Sequence, residues 1–109
     1  MVFAHDTERR VERHAAVGET VRVRGHVNFG RGCGTIPTNI TVLQPPRHGT
    51  LAVRDETVQG GDPVFGAGCR DLWGNGKAVY YTRTSLGTDI FDYDSSSEHG
   101  VVHIFVTVD

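Results

Sequence analysis

Leucine, alanine and methionine number only eleven among the 109 residues. These are the side chains that enter helices at least cost, so their scarcity argues against a helical bundle or a coiled coil. No window approaches the roughly 20 apolar residues that span a bilayer as a helix. Residues 1–5 carry no basic stretch leading into an apolar run, so no leader peptide is read there. Charge of either sign is in no excess: 11 Lys and Arg stand against 13 Asp and Glu, a formal net charge of −2. Nothing in that balance draws a polyanion, and neither nucleic acid nor membrane insertion is expected. A nucleophile elbow of the G-x-S-x-G type is missing, as is a glycine-rich phosphate loop ahead of a helix. Catalysis is therefore not expected, although Ser95-Ser96-Ser97-Glu98-His99 gathers nucleophile, acid and base types. Neighbours on a short turn do not aim at one another as a triad must.

What the chain has instead is thirty Val, Ile and Thr. Val and Ile are stiff at χ1, Thr shares their branching, and all three pack well on a pleated surface. Glycine, at 14 residues, runs to nearly twice its usual share of about 7%, which implies many turns. Asp6–Ala16 is read as a first strand, a helix with Asp6 as its N-cap being the alternative. Val21, Val23, Val27 and Phe29 alternate with Arg22, Arg24, His26 and Asn28, the period of a strand with one buried and one wet face. Gly25 on the apolar side suggests a bulge or close approach. Short strands follow at Asn39–Leu43, stopped by Pro45-Pro46, and at Gly49–Val53. Asp55–Gly68 holds five Gly and Pro residues and reads mostly as loop. Asn75-Gly76 signals a hairpin turn. Strands are expected at Ala78–Thr82, Ile90–Tyr93 and Val101–Val108, with a polar turn at Ser95–Gly100. About seven or eight short strands without a helix make an all-β, antiparallel Greek-key sandwich, an open barrel being the alternative. The organisation is a single domain, with residues 1–17 as an N-terminal segment holding the first strand and residues 18–109 as the sandwich.

Several runs then fall in a telling order: Pro46-Arg47-His48-Gly49-Thr50-Leu51, Ala78-Val79-Tyr80-Tyr81-Thr82, Gly87-Thr88-Asp89-Ile90-Phe91-Asp92-Tyr93, and the closing strand to Val108. This order, over Gly18–Asp109, resembles the cadherin-like and immunoglobulin-like repeat domains of bacterial secreted and cell-surface proteins. Arg83-Thr84 replaces the proline usual after the aromatic step, and the cysteine pair is not general in that family. The resemblance implies an extracytoplasmic, non-enzymatic module for binding, adhesion or structure. It implies no ligand.

The residues themselves offer four candidate sites. Cys33 and Cys69 fit no CxxC spacing. One disulfide is the economical reading for a small β domain in an oxidising compartment, and two separate buried thiols are the alternative. Asp89, Asp92, Asp94 and Glu98 supply carboxylates of the kind calcium takes, which makes a small secreted metal-binding protein the alternative function. Without the D-x-D-x-D-G loop a solvated turn is the plainer reading, and no cofactor is expected. Asp89 is also placed to accept backbone N–H groups, and Tyr93 to bury its ring with its hydroxyl on a backbone partner at a corner. His14, His26 and His103 are the histidines that a cross-strand metal site would use. Finally, Ile90, Phe105 and Tyr80 lie outside on their strands by alternation; they form an apolar patch for a protein partner, a surface ligand or a second copy, or are covered by the N-terminal segment. Trp73 is expected to pack over the disulfide or to anchor a ligand at a loop tip. Asn39-Ile40-Thr41 matches a glycosylation sequon inside an expected strand.

Overall fold

The computed structural model describes residues 7–60, 71–97 and 100–109. Nine strands run in order: β1 (Thr7–Arg13), β2 (Thr20–His26), β3 (Asn28–Phe29), β4 (Thr35–Ile36), β5 (Ile40–Gln44), β6 (Gly49–Gln59), β7 (Trp73–Arg83), β8 (Asp89–Ser97) and β9 (Gly100–Val108). Among the described residues the one helical element is a 3₁₀ turn at Arg31–Cys33. The all-β expectation holds. One sheet has the order β1-β9-β8-β5 and a second β2-β7-β6, with β3 and β4 as a small ribbon. The first sheet is mixed, because β1 runs parallel to β9, in register from Thr7 beside Val102 to Arg13 beside Val108. The β2–β7, β6–β7, β5–β8 and β8–β9 pairs are antiparallel.

Both larger sheets feed one buried cluster. Val11, Phe91, Tyr93, Val102, Ile104, Val106 and Val108 come from the first, and Val23, Val79 and Tyr81 from the second. Strand alternation places them: in β9 every second residue from Val102 to Val108 is buried. Tyr81 and Phe91 stack across the core with centroids 5.7 Å apart. Burial of each such side chain is worth roughly 1.5–3 kcal/mol. Arg83, which closes β7, is buried. Its Nε donates to the Ala15 carbonyl at 2.7 Å, and its Nη1 donates to the carbonyls of Ser85 and Gly87. The guanidinium thus ties the β1–β2 link to the β7–β8 link. Phe29, Val58 and Ala78 are also buried, outside that cluster.

Four expectations are corrected. The alternation from Val21 to Phe29 is not one strand. The β2–β7 register shifts between Arg22 and Arg24; the bulge swaps the faces beyond it. His26, expected outside, therefore points inward and bonds Tyr93. Strand β6 continues past Val53 to Gln59, since its glycines and prolines begin only at Gly60; residues 61–68 lie outside the described set. Ser95 to Ser97 belong to β8, which pairs with β9 as far as Ser97 opposite Gly100. Asn75-Gly76 is not a hairpin turn but the interior of β7, opposite Thr57 and Glu56. The glycine is there for a different reason. A Cβ on Gly76 would lie 2.1 Å from the His26 carbonyl oxygen and 3.1 Å from Val27 Cβ. Gly76→Ala is expected to cost about 2 kcal/mol by overpacking, read as a lower urea midpoint at unchanged m value. An unaltered midpoint would show that the chain crossing at His26 can move aside.

Candidate binding surfaces

Asp89 opens β8 and is buried. Its Oδ1 accepts the Arg47 N–H and its Oδ2 the His48 N–H, both at 2.8 Å, and Tyr81 Oη donates to Oδ2 at 2.7 Å. Burial pushes this carboxyl up, but the bonds from Tyr81, Arg47 and His48 outweigh it and hold the group below its ordinary value. Tyr81, pushed up to about 12 by burial and by Asp89, also donates to the His48 carbonyl at 3.2 Å. The expected N–H acceptance by Asp89 is present, across the fold instead of within its own turn. The tyrosine that closes on a backbone carbonyl is Tyr81. Tyr93 instead bonds the His26 ring, with Oη 2.7 Å from Nε2.

The carboxylates expected to share a calcium ion are divided. Asp89 is spent inside the fold. Asp92 and Asp94 share the outer face of β8, where they flank a residue the carboxylate reading left aside. His103 Nε2 lies 3.1 Å from Asp92 Oδ2, and its Nδ1 lies 3.0 Å from Asp94 Oδ1. The ring hydrogen-bonds Asp92 through Nε2, whereas Asp94 Oδ1 lies within ion-pair distance of Nδ1 without a hydrogen bond. Glu98 lies outside the described residues. No group of three or more His, Cys, Asp and Glu with metal-holding geometry occurs among the described residues. The histidines do not converge either. His26 faces the core, His103 the outer face of the first sheet, and His14 pairs with Asp109. His99 and His103 stand four apart, a spacing that converges on a helix; His103 lies in a strand, where four residues span about 13 Å. Calcium at saturating concentration is expected to leave the melting temperature unchanged, and a rise of several degrees would restore a calcium site.

The apolar patch is likewise not a single surface. Ile90 is 60% exposed, and Phe105 is its diagonal neighbour through the pairs Ile90–Thr107 and Asp92–Phe105. Phe105 is half-buried, because Arg10 of β1 covers its ring at 5.0 Å and His103 stacks on it at 4.3 Å. Tyr80 lies on the outer face of the other sheet, since its neighbour Tyr81 faces the core. Arg54 stacks over its ring at 4.4 Å, and its hydroxyl donates to Glu56. That bond raises Tyr80, and together with the Arg22 guanidinium it lowers Glu56. Trp73 begins β7 opposite Gln59 and is 64% exposed, so it is neither at a loop tip nor buried.

Cys33 adopts φ 63° and is disulfide-bonded. Cys69 lies outside the described residues. Asn39 is exposed and precedes β5, so its sequon does not start inside a strand as expected.

Compared with known proteins, the chain matches no family model, no curated protein and no solved structure. Function therefore rests on the chain's own geometry.

Proposed function

We propose that the protein is a non-enzymatic, extracytoplasmic module for binding, adhesion or structure, built as an immunoglobulin-like Greek-key sandwich similar to bacterial cadherin-like repeats. The strand order carries this reading. In an immunoglobulin-like sandwich the second, fifth and fourth strands share one sheet and the third, sixth and seventh share the other. Here β2-β7-β6 and β5-β8-β9 have that arrangement once the β3–β4 ribbon is set aside, and β1 joins the second group beside β9. The pairs β2–β7 and β5–β8 join strands far apart in sequence, as Greek-key connections require. The shifted ionisable groups support the non-enzymatic part. Asp89, Tyr81, Tyr93 and His26 all spend their polar atoms on one another or on backbone groups.

The disulfide in this proposal joins Cys33 to Cys69, the only other cysteine in the chain, and an oxidising compartment follows from it. Expressed behind a secretory leader, the protein is expected to gain 2 Da of intact mass on reduction (about one hydrogen per sulfur) and to melt at a lower temperature once reduced. Identical masses before and after reductant would count against both the pairing and the compartment.

A further inference from the structure

We propose that a trough between the β4–β5 link and the far ends of β6 and β7 binds a neutral, hydroxyl-rich ligand, a saccharide, with Trp73 as its stacking platform. This deepens the binding-module reading and rests on it. The trough is a cavity of about 620 Å³ lined by Pro37, Thr38 and Asn39 from the link, by Asp55, Glu56 and Thr57 from β6, and by Asn75, Gly76 and Lys77 from β7. That volume falls within the roughly 300–1,000 Å³ range of small-molecule sites.

Three observations give the ligand its chemistry. First, the charges in the wall are already matched. Lys77 Nζ lies 2.6 Å from Asp55 Oδ1, and Glu56 is held by Arg22 at 2.7 Å and by the Tyr80 hydroxyl. An ion entering the trough would find no unpaired opposite charge among the described lining residues, whereas a neutral ligand leaves the pairs intact. Second, the remaining polar groups are amides and hydroxyls. Asn39, Thr57 and Asn75 are exposed, and Thr38 is 3% exposed with an Oγ1 that has no hydrogen-bond partner. A buried hydroxyl without a partner is a standing cost. Amides and hydroxyls both donate and accept, which matches the adjacent hydroxyls of a sugar ring. Third, Trp73, Asn75 and Lys77 share one face of β7 by strand alternation. The exposed Trp73 therefore sits two residues along the same strand face from Asn75, which lines the trough. The apolar C–H face of a pyranose packs on such a ring while its hydroxyls reach the amides. The backbone of Asn39 is fixed by its N–H bond to Ser96 Oγ at 2.8 Å, so this wall is set before a ligand arrives.

Trp73 is the only tryptophan of the chain, so its fluorescence reports this site alone. The test titrates the full oxidised chain with neutral cello-, malto-, xylo- and chito-oligosaccharides, with sulfated oligosaccharide and inorganic phosphate as charged probes. At least one neutral oligosaccharide is expected to shift the Trp73 emission saturably. By calorimetry, Trp73→Ala and Asn75→Ala are expected to weaken that binding at least tenfold. Leu86→Ser, at an exposed position on the β7–β8 link, is expected to leave it unchanged. Trp73→Ala should melt with the wild type, because the ring is mostly in solvent. No binding by any neutral probe, binding that survives Trp73→Ala, or tighter binding of the charged probes would each overturn the proposal while leaving the module reading intact. Binding followed by cleavage of the sugar, seen as shorter products by chromatography, would support the site and overturn the non-enzymatic reading instead.

Discussion

Between pH 7 and pH 4 the protein is expected to lose about 3 kcal/mol of stability through one side chain, His26. Burial lowers this imidazole from 6.5 to about 4, and the positive charges of Arg24 and Arg22 push the same way. The ring stays neutral in the fold, packed edge-on against Tyr93 at 5.4 Å and sharing a hydrogen bond with its hydroxyl. Burial raises the ionisation of Tyr93 itself, so that hydroxyl keeps its proton. In the unfolded chain the imidazole titrates near its ordinary value. Between those two values the unfolded state binds the extra proton, so stability rises with pH through the window and is fully present above about 6.5. The measurement is urea unfolding from pH 8 to pH 4 for the wild type and for His26→Gln, which cannot take up a proton there. The variant is expected to be less stable at pH 7, where it loses packing against Tyr93, and to have a much flatter pH dependence. Parallel curves for the two proteins would mean that His26 reaches its proton without unfolding.

His26 also shows where the sequence was legible and where it was not. Its strand was plain from alternation, and so were β9 and the Asp89-x-Phe91-x-Tyr93 face, because a period of two is local and needs no partner. The side to which His26 points was not legible. A bulge is decided by how β2 lies against β7, residues 51 to 62 positions away in the chain, and one extra residue reverses every later side chain. Asn75-Gly76 failed for a related reason. The pair has good turn chemistry, yet Gly76 serves a chain crossing at His26 that no local pattern announces. Among the candidate sites, Asp89 was legible as an acceptor of backbone N–H groups, beside a calcium reading of the same carboxylate, but the link that supplies those N–H groups was not. The clasp of Asp92 and Asp94 on His103 depends on the β8–β9 register, which places Asp94 opposite His103. Cover by the N-terminal segment was one of the two expected readings of Phe105, but the placing of Arg10 over its ring depends on the parallel β1–β9 register. Neither has a signature shorter than the fold itself.

The same long-range logic makes Asp89 the most costly polar side chain to remove. It accepts from two backbone N–H groups on the β5–β6 link and from a tyrosine of the opposite sheet, so a single carboxylate joins β8, β7 and that link. Truncation to alanine leaves the part-buried Arg47 and His48 N–H groups without their acceptor and Tyr81 with only its longer bond to the His48 carbonyl. At about 1–3 kcal/mol for each stranded group, partly relieved by water entering the space, the expected loss is about 4 kcal/mol. Asp89→Asn keeps the shape and one acceptor oxygen but turns an amide N–H₂ toward a donor, so it is expected to lose about half as much. Tyr81→Phe removes one donor and strands none, because Asp89 Oδ2 still holds the His48 N–H; about 1 kcal/mol is expected. The order Asp89→Ala, then Asp89→Asn, then Tyr81→Phe distinguishes an anchoring acceptor from a carboxylate that merely fills space, for which the asparagine would be nearly silent. The pH dependence is opposite in origin to that of His26 but has the same sign. A carboxyl held below its ordinary value stabilises the fold above its unfolded value of about 3.8, and that stabilisation is lost as pH falls through the lower folded value. Asp89→Ala is therefore expected to flatten the acid limb below pH 4 while leaving the slope between pH 6.5 and pH 4 to His26. A double-mutant cycle joining Asp89→Ala to Tyr81→Phe should then show coupling of about 1 kcal/mol. Additive losses would mean that the 2.7 Å bond contributes nothing and that the two side chains stabilise the core independently.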